Sequence, residues 1–538
     1  MRPTARRPPP PPRGRLSGLG KAPPRPQGPR VSFVLKCRHS RSYVRNSPIP
    51  PIKEYHRDAS LGGALPNSKV SAQWPRLIWG AGLRDVDVGR LLEDRKLGAF
   101  HALTLGLCVL ILFVDGLDFS ALNVGAPAIL RAFGAERSEM GFVFSCGFFG
   151  IFAGSLLFGY LGDRYGRKTG AIIGVLAYSI PALLTVFATS MEQLAAFRFL
   201  SGLGMGGVVP NVIALLNETA PKKYCVTFVM VAYIGYSMGN ASIAQVAAWF
   251  IPTYGWSIVF LVAGVAGLAL SVATYFLLPE SIPYLTVTKP DAPQLRALVA
   301  RAAPEQRIGA DTRFVLHRPA SEMRFALKLL FNDYRKFATP LLWLAFFCES
   351  MTYMTLAAWF SVLLEQAGLV PTQAALAFSY AYVGAMVAIM GLARLVDAFG
   401  PKAAVLSAAP AMMALTYLGT PGLSASVVTM VGIIAMACSS ATHQALNGIV
   451  GGFYPTIIRS NGVGYASGMG RVAAIIGPGV AGYLLSANLP LQDVLTIIAG
   501  PYLVVSVICL ALDRLQRKIA ARVSAETAAL IAPEGQPG

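Results

Sequence analysis

Charge is scarce in this sequence: Asp, Glu, Lys and Arg make up 13% of its 538 residues, against roughly 25% in an ordinary soluble chain. A string of soluble domains is therefore excluded despite the length. Cysteine is sparse, and Cys37, Cys108, Cys146, Cys225, Cys348, Cys438 and Cys509 stand singly, six of them in or beside apolar segments. No disulfide framework or metal-ligand spacing follows, and they read as small core residues. No Gly-rich phosphate loop, zinc motif or nucleophile motif is present, which argues against an ATP-driven pump or an enzyme, and no cofactor is called for.

What the sequence has is apolar length. It is 54% hydrophobic, with recurring runs of about 20 apolar residues, enough to cross about 30 Å of hydrocarbon as helix. Barrel strands would be half as long and alternating, so the class is an all-α polytopic membrane protein in contact with the lipid bilayer. Twelve spans are expected, at about 102–124, 140–162, 169–189, 193–216, 226–250 and 257–278, then 337–364, 373–395, 402–420, 424–450, 462–486 and 492–512. The division is an extension (1–85), a six-helix half (86–279), a central loop (280–336), a second six-helix half (337–512) and a tail (513–538).

The formal charge of +20 suggests nucleic acid until it is located. Residues 1–82 hold sixteen Lys/Arg against two acids, and fifteen of the 37 prolines. The extension therefore carries the basic pI, and no nucleic-acid partner is implied. It should be disordered or extended. A transit sequence, a polybasic tether and an over-extended reading frame are its alternative readings; the third is preferred, because 86–101 reads as a short amphipathic lead into the first span. The central loop has ten Lys/Arg against six acids, while 251–256 and 421–423 have none, so the loop and both termini are expected in the cytoplasm.

A repeat supports two halves. GYLGDRYGRKTG (Gly159 to Gly170) follows the second span and ARLVDAFGPKAAV (Ala393 to Val405) the eighth, with Asp163, Gly166 and Lys168 echoed by Asp397, Gly400 and Lys402. Glycines permit close helix approach, Asp163 can accept from the N-terminal amides of a neighbouring helix, and Arg164, Arg167 and Lys168 stay at the surface. A gating latch is the expected role; a plain positive loop explains the cations but not Asp163 or the glycine spacing.

With this motif the chain resembles the major facilitator superfamily, and over 86–515 the aromatic acid:proton symporters. DGLD (Asp115 to Asp118), RFLSGLGMGGVVPN (Arg198 to Asn211), LPES (Leu278 to Ser281) and Phe453 to Leu485 carry that likeness. It implies the major facilitator fold and import of an aromatic carboxylate with protons across a bacterial inner membrane, driven by the proton gradient. One departure is Trp359-Phe360-Ser361, where the family pattern has a Trp-Leu-Pro turn. Another organic acid, export, and a sensing role remain alternatives; the absence of the Gly-Pro-rich drug-antiporter motif from the fifth span disfavours efflux. The chain is expected to act as a monomer.

The residues have their own logic. Asp115 and Asp118, at i and i+3, share a helix face, and a carboxylate at that depth costs a few kcal/mol or more unless neutralised, paired or hydrated. A coupled, proton-loading pair on the cavity face is the functional reading; a structural hydrogen-bond partner is the other. Arg198 is its natural counter-ion or a snorkelling arginine, and Gly202, Gly204 and Gly206 are expected against the first helix. Arg471 is the candidate fork for a substrate carboxylate, or a packing arginine. His443, Gln444, Glu349, Tyr353 and Trp359 are further candidates to line a substrate site, against an ordinary core role.

Overall fold

A computed structural model describes residues 84–93, 97–303, 312–316, 327–332, 334–487 and 489–531. The extension before Arg84 and the last seven residues lie outside the described residues. Six helices form the first half: α1 (Ala99–Phe133), α2 (Arg137–Tyr165), α3 (Arg167–Thr185), α4 (Met191–Thr219), α5 (Cys225–Tyr254) and α6 (Ser257–Leu277). The second half holds α7 (Arg335–Gln366), α8 (Pro371–Phe399), α9 (Val405–Leu418), α10 (Ala425–Phe453), α11 (Thr456–Ser486) and α12, which runs as Leu491–Ala499 and Pro501–Ile531.

Eleven of these are long and apolar enough to cross a membrane, among the described residues. The exception is α9, expected over 402–420, which has 14 residues after a 3-10 turn at Pro401–Ala404. Turn and helix together still rise about 29 Å, close to the hydrocarbon thickness. The chain is a multi-pass membrane protein.

The two halves repeat one packing scheme. In the first, α1 packs on α5 and α2 on α4; in the second, α7 packs on α11 and α8 on α10. Across the halves α2 meets α11, α5 meets α8 and α1 meets α7. The glycines of α4 do not face the first helix as expected. Residues two apart point about 200° apart on a helix, so Gly202 and Gly206 face α2 while Gly204 faces α3. A Cβ on Gly202 would strike the Gly147 carbonyl and one on Gly204 the backbone of Tyr178, so the helices touch backbone to backbone.

The central loop is not merely a hydrophilic connection, and the lead into α1 is not one amphipathic helix. Strand β1 (Arg84–Asp87) pairs in parallel with β2 (Thr312–Val315), Arg84 opposite Thr312 and Asp87 opposite Val315. Helices Val88–Glu93, Ile282–Thr288 and Pro293–Ala302 close over them. Val88, Ile282, Leu285, Leu295, Val299 and Phe314 form a small separate core that also takes Phe100 from the start of α1.

Candidate functional site

Asp118 sits near the middle of α1 and is fully buried. It faces the interior of the first half, which corrects the expectation that it lines the cavity. The Arg198 guanidinium of α4 approaches Oδ1 at 3.4 Å and the Ser201 hydroxyl donates to Oδ2 at 2.5 Å. Arg198 donates a second bond to the Thr185 hydroxyl at 3.1 Å and lies 4.7 Å over the Phe260 ring. A buried charge needs this degree of compensation. Asp115, one turn earlier, is also buried, but its Oδ1 has no partner. The tyrosines Tyr178 of α3 and Tyr233 and Tyr236 of α5 lie near enough to feel its charge. Gly116 lets α5 approach, since a Cβ there would meet the Tyr236 carbonyl and Asn240, and Ser120 donates to the Asn240 side chain.

In the second half Glu349 of α7 is fully buried and meets His443 Nδ1 of α10 at 2.8 Å. Tyr353 stacks on the His443 ring at 5.0 Å. Gln444 points out of this cluster and is exposed. Trp359 does not join it: its indole is fully buried, donates to the Pro478 carbonyl at 3.0 Å and meets the Phe144 ring edge-on. It is a packing residue between α7, α11 and α2, and α7 runs through Trp359 to Ser361 without a turn.

Arg471 lies midway along α11, is exposed, and donates across the halves to the Ser155 hydroxyl of α2. Tyr233, also partly exposed, lies within its electrostatic reach. The other hydrogen bonds between halves, among the described residues, all lie from this level to the end away from the central loop. Arg131 meets Glu365 at 2.5 Å, Arg137 donates to the Leu485 carbonyl at 2.9 Å, the Ser138 amide donates to the Ser486 hydroxyl at 2.9 Å, and Gln245 donates to Ser379 at 3.4 Å. That end is tied shut. At that same end a cavity of about 600 Å³ is lined by Arg131 and Glu365 themselves, with Pro127, Trp256, Ser361 and Ala375.

The gating motif is organised differently from its expected form. Asp163 does not cap a neighbouring helix; it pairs with Arg167 at 2.5 Å, and Arg167 reaches Glu218 of α4 at 3.2 Å. The amide at the start of α3 is taken by Glu280, which accepts from the Lys168 N–H at 3.0 Å and from the Ser281 N–H at 2.9 Å. Burial pushes the Glu280 carboxyl above its ordinary value, while those amides and the Lys168 ammonium pull it back. Lys168 itself donates to the Tyr275 carbonyl at 2.7 Å, and the Tyr284 hydroxyl donates to the Arg164 carbonyl at 2.9 Å. Gly166 adopts φ +105° with Glu280 where a Cβ would be. Gly159 faces open space, so it is not a close-approach glycine, whereas Gly162 lies against the Asn211 side chain. Asp397 is exposed. Ser201, Tyr233, Glu218, Glu280 and the Arg131–Glu365 pair escaped sequence reasoning, although Glu280 stood inside the quoted LPES.

The family model described as Major Facilitator Superfamily matches residues 108–369 and 342–533. A gallate transporter of Pseudomonas putida is 32% identical over 77% of this chain and 92% of its own length. A benzoate transport protein of Acinetobacter baylyi is 31% identical over 76% and 88%. Among solved structures, a bacterial homolog of the human lysosomal transporter Spinster, inward-facing and unoccupied, superposes with a TM-score of 0.61 at 14% identity over 79% of this chain and 99% of that one.

Proposed function

We propose that this chain, which belongs to the Major Facilitator Superfamily and is a transporter rather than an enzyme, imports an aromatic carboxylate together with protons by alternating access. Relatives that carry gallate and benzoate support the substrate class. The loop charges support a bacterial inner-membrane orientation with the central loop and termini in the cytoplasm, so the tied end is the periplasmic one.

The observation that carries the reading is the contrast within one turn of α1. Asp118 has a cation and a hydroxyl donor; Asp115 has a carboxylate oxygen without a partner in a buried setting. A group in that position is the one that neutralises by taking a proton. Asp115 is therefore the proton carrier, and Asp118, held by Arg198, the fixed charge that orients the site.

Arg471 supplies the cation for the substrate. It is exposed in the cleft between halves, and its planar fork matches a carboxylate bidentately. Loading a proton on Asp115 and an anion on Arg471 leaves the site less charged than either event alone, which favours passage of the halves through a closed state. The motif from Asp163 to Lys168 with Glu218 and Glu280 holds the cytoplasmic ends of α2, α3 and α4 as one rigid unit during that passage. The carrier works as a monomer, with no cofactor beyond the proton gradient.

The test is uptake of radiolabelled benzoate and gallate into proteoliposomes. With an alkaline interior the substrate should accumulate above its external concentration, and a protonophore should release it. Equal uptake with and without the pH gradient would remove the proton from the reading; accumulation of neither acid would remove the substrate class.

A further inference from the structure

Glu349 and His443 form a second buried titratable pair, in the half opposite Asp115, and the cycle described above does not use it. Glu349 is fully buried, accepts from the neighbouring Ser350 hydroxyl at 3.2 Å, and its Oε1 has no partner. Among the described residues no Lys or Arg pairs with it; its one ion-pair partner is His443 at 2.8 Å. The His443 side chain keeps 23% of its surface exposed. A fixed carboxylate deep in the bundle, joined to an imidazole that solvent can reach, is the construction of a proton-binding site.

From this geometry we infer that Glu349 and His443 bind a second transported proton, so that two protons accompany each substrate monoanion and one net positive charge enters per cycle. The inference rests on the proton-coupled reading of the preceding subsection. In the unloaded pair His443 is neutral and donates its Nδ1–H to Glu349, leaving the pair at −1. A proton taken on Nε2 makes imidazolium facing carboxylate, neutral as a pair, and its loss restores the first state with no other bond changed.

The surroundings permit this change of charge without a competing fixed charge. On α7 Tyr353 stacks on the imidazole. From α12 Tyr502 and from α10 Cys438 lie in the same electrostatic neighbourhood. From α8 Tyr382 lies beside Tyr353, and from α11 Gly470 fits against Ser350. On the side of α1, Asp115 is separated from the pair by Tyr236, which lies within reach of both Asp115 and Tyr353. All these neighbours are hydroxyl, thiol or glycine, so the two acids titrate from opposite halves with a row of tyrosines between them.

The experiment separates chemical from electrical drive. Proteoliposomes holding the full chain are given either a pH gradient alone or, in addition, a roughly tenfold outward potassium gradient with valinomycin, and labelled benzoate is followed to steady state. The wild type should gain about tenfold in accumulation from the potential, the amount one net charge confers. Glu349→Gln and His443→Gln should still accumulate benzoate on the pH gradient, about tenfold less per pH unit than the wild type, and lose the response to potential. A wild type that accumulates on the pH gradient but ignores the potential overturns the second proton and leaves the first reading intact. A variant that keeps the full potential response overturns it too, whereas no response of the wild type to pH sinks the underlying reading. Benzoate counterflow with all gradients collapsed identifies folded variants. Should both variants lose counterflow, the wild-type ratio measured with a pH electrode in weakly buffered vesicles decides: two protons per benzoate supports the inference and one overturns it.

Discussion

Asp118 and Arg198 face each other at 3.4 Å in the interior of the first half, and Asp115, three residues before Asp118, has no cation within hydrogen-bonding range among the described residues. The two acids of one helical turn therefore differ in kind. Asp115→Asn should preserve benzoate counterflow while reducing accumulation on a pH gradient at least tenfold. Asp118→Asn leaves a buried guanidinium without its carboxylate, a loss of about 3–5 kcal/mol. It should lower the melting temperature in detergent and abolish counterflow as well; equal behaviour of the two variants would overturn the division of roles.

Arg471 is tested by shape rather than charge. Arg471→Lys keeps the cation but loses the fork, and one lost hydrogen bond to a carboxylate corresponds to about tenfold in affinity. The half-saturating benzoate concentration should rise by that factor with the maximal rate little changed, and Arg471→Gln should bind too weakly to saturate. Unaltered saturation in the lysine variant would place the carboxylate elsewhere.

At the tied end the Arg131–Glu365 pair spans α1 and α7 at 2.5 Å. Replacing both by cysteine should allow a crosslink that stops transport and is reversed by reductant. Glu365→Ala should shift the carrier toward opening at that end, read as faster labelling by impermeant maleimide of a cysteine placed at Ser361. An exchanged pair, Arg131→Glu with Glu365→Arg, should restore the wild-type labelling rate.

Glu280 lies outside the spans, between α6 and the helix Ile282–Thr288, and its carboxyl is raised from the ordinary 4.5, by burial first. A carboxyl raised in the folded state binds a proton that the unfolded chain has already released, so its contribution is whole below 4.5 and declines as pH rises through the folded value. Glu280→Gln should therefore gain melting temperature relative to the wild type as pH rises from 4.5 toward neutrality. A difference that shrinks over that range has the wrong sign and would dismiss the burial argument.

Two glycines of one motif should part company. Gly159→Ala meets open space and should be tolerated, while Gly162→Ala must displace the Asn211 side chain from its bonds to the Phe158 and Gly207 carbonyls, made at 3.1 and 2.8 Å. About 1–3 kcal/mol is expected from the disturbed buried amide, measurable as loss of the monodisperse peak on mild heating.

Hydropathy made the helices legible because a span of about 20 apolar residues admits few other fates, and it placed Asp115, Glu349 and Arg198 as oddities within them. It could not give rotation about each helix axis. That rotation decides that Gly202 meets α2 and not α1, that Trp359 bonds the Pro478 carbonyl, and that Asp118 looks inward to Ser201. Pairings across long separations, such as Arg131 with Glu365, follow from how two halves face each other and leave no local pattern. The short α9 shows a further limit: composition announced a span but not the 3-10 turn that lengthens it.

The pairing of β1 with β2 changes the effective length of the linker between halves. By sequence, 57 residues separate Leu277 from Arg335. Yet β2 is bonded to the strand just ahead of α1, and the helix Ile282–Thr288 is fastened to the Arg164 carbonyl through Tyr284, so the first half already owns most of the loop. On the other side the 3-10 turn Leu327–Phe331 belongs to the second half, with the Thr339 hydroxyl on the Leu330 carbonyl and Phe331 edge-on to Trp343. Only residues 317–326 are left between the two attachments, and ten residues span at most about 35 Å. The tether is therefore far shorter than the loop, and it bounds how far the halves can part on the cytoplasmic side.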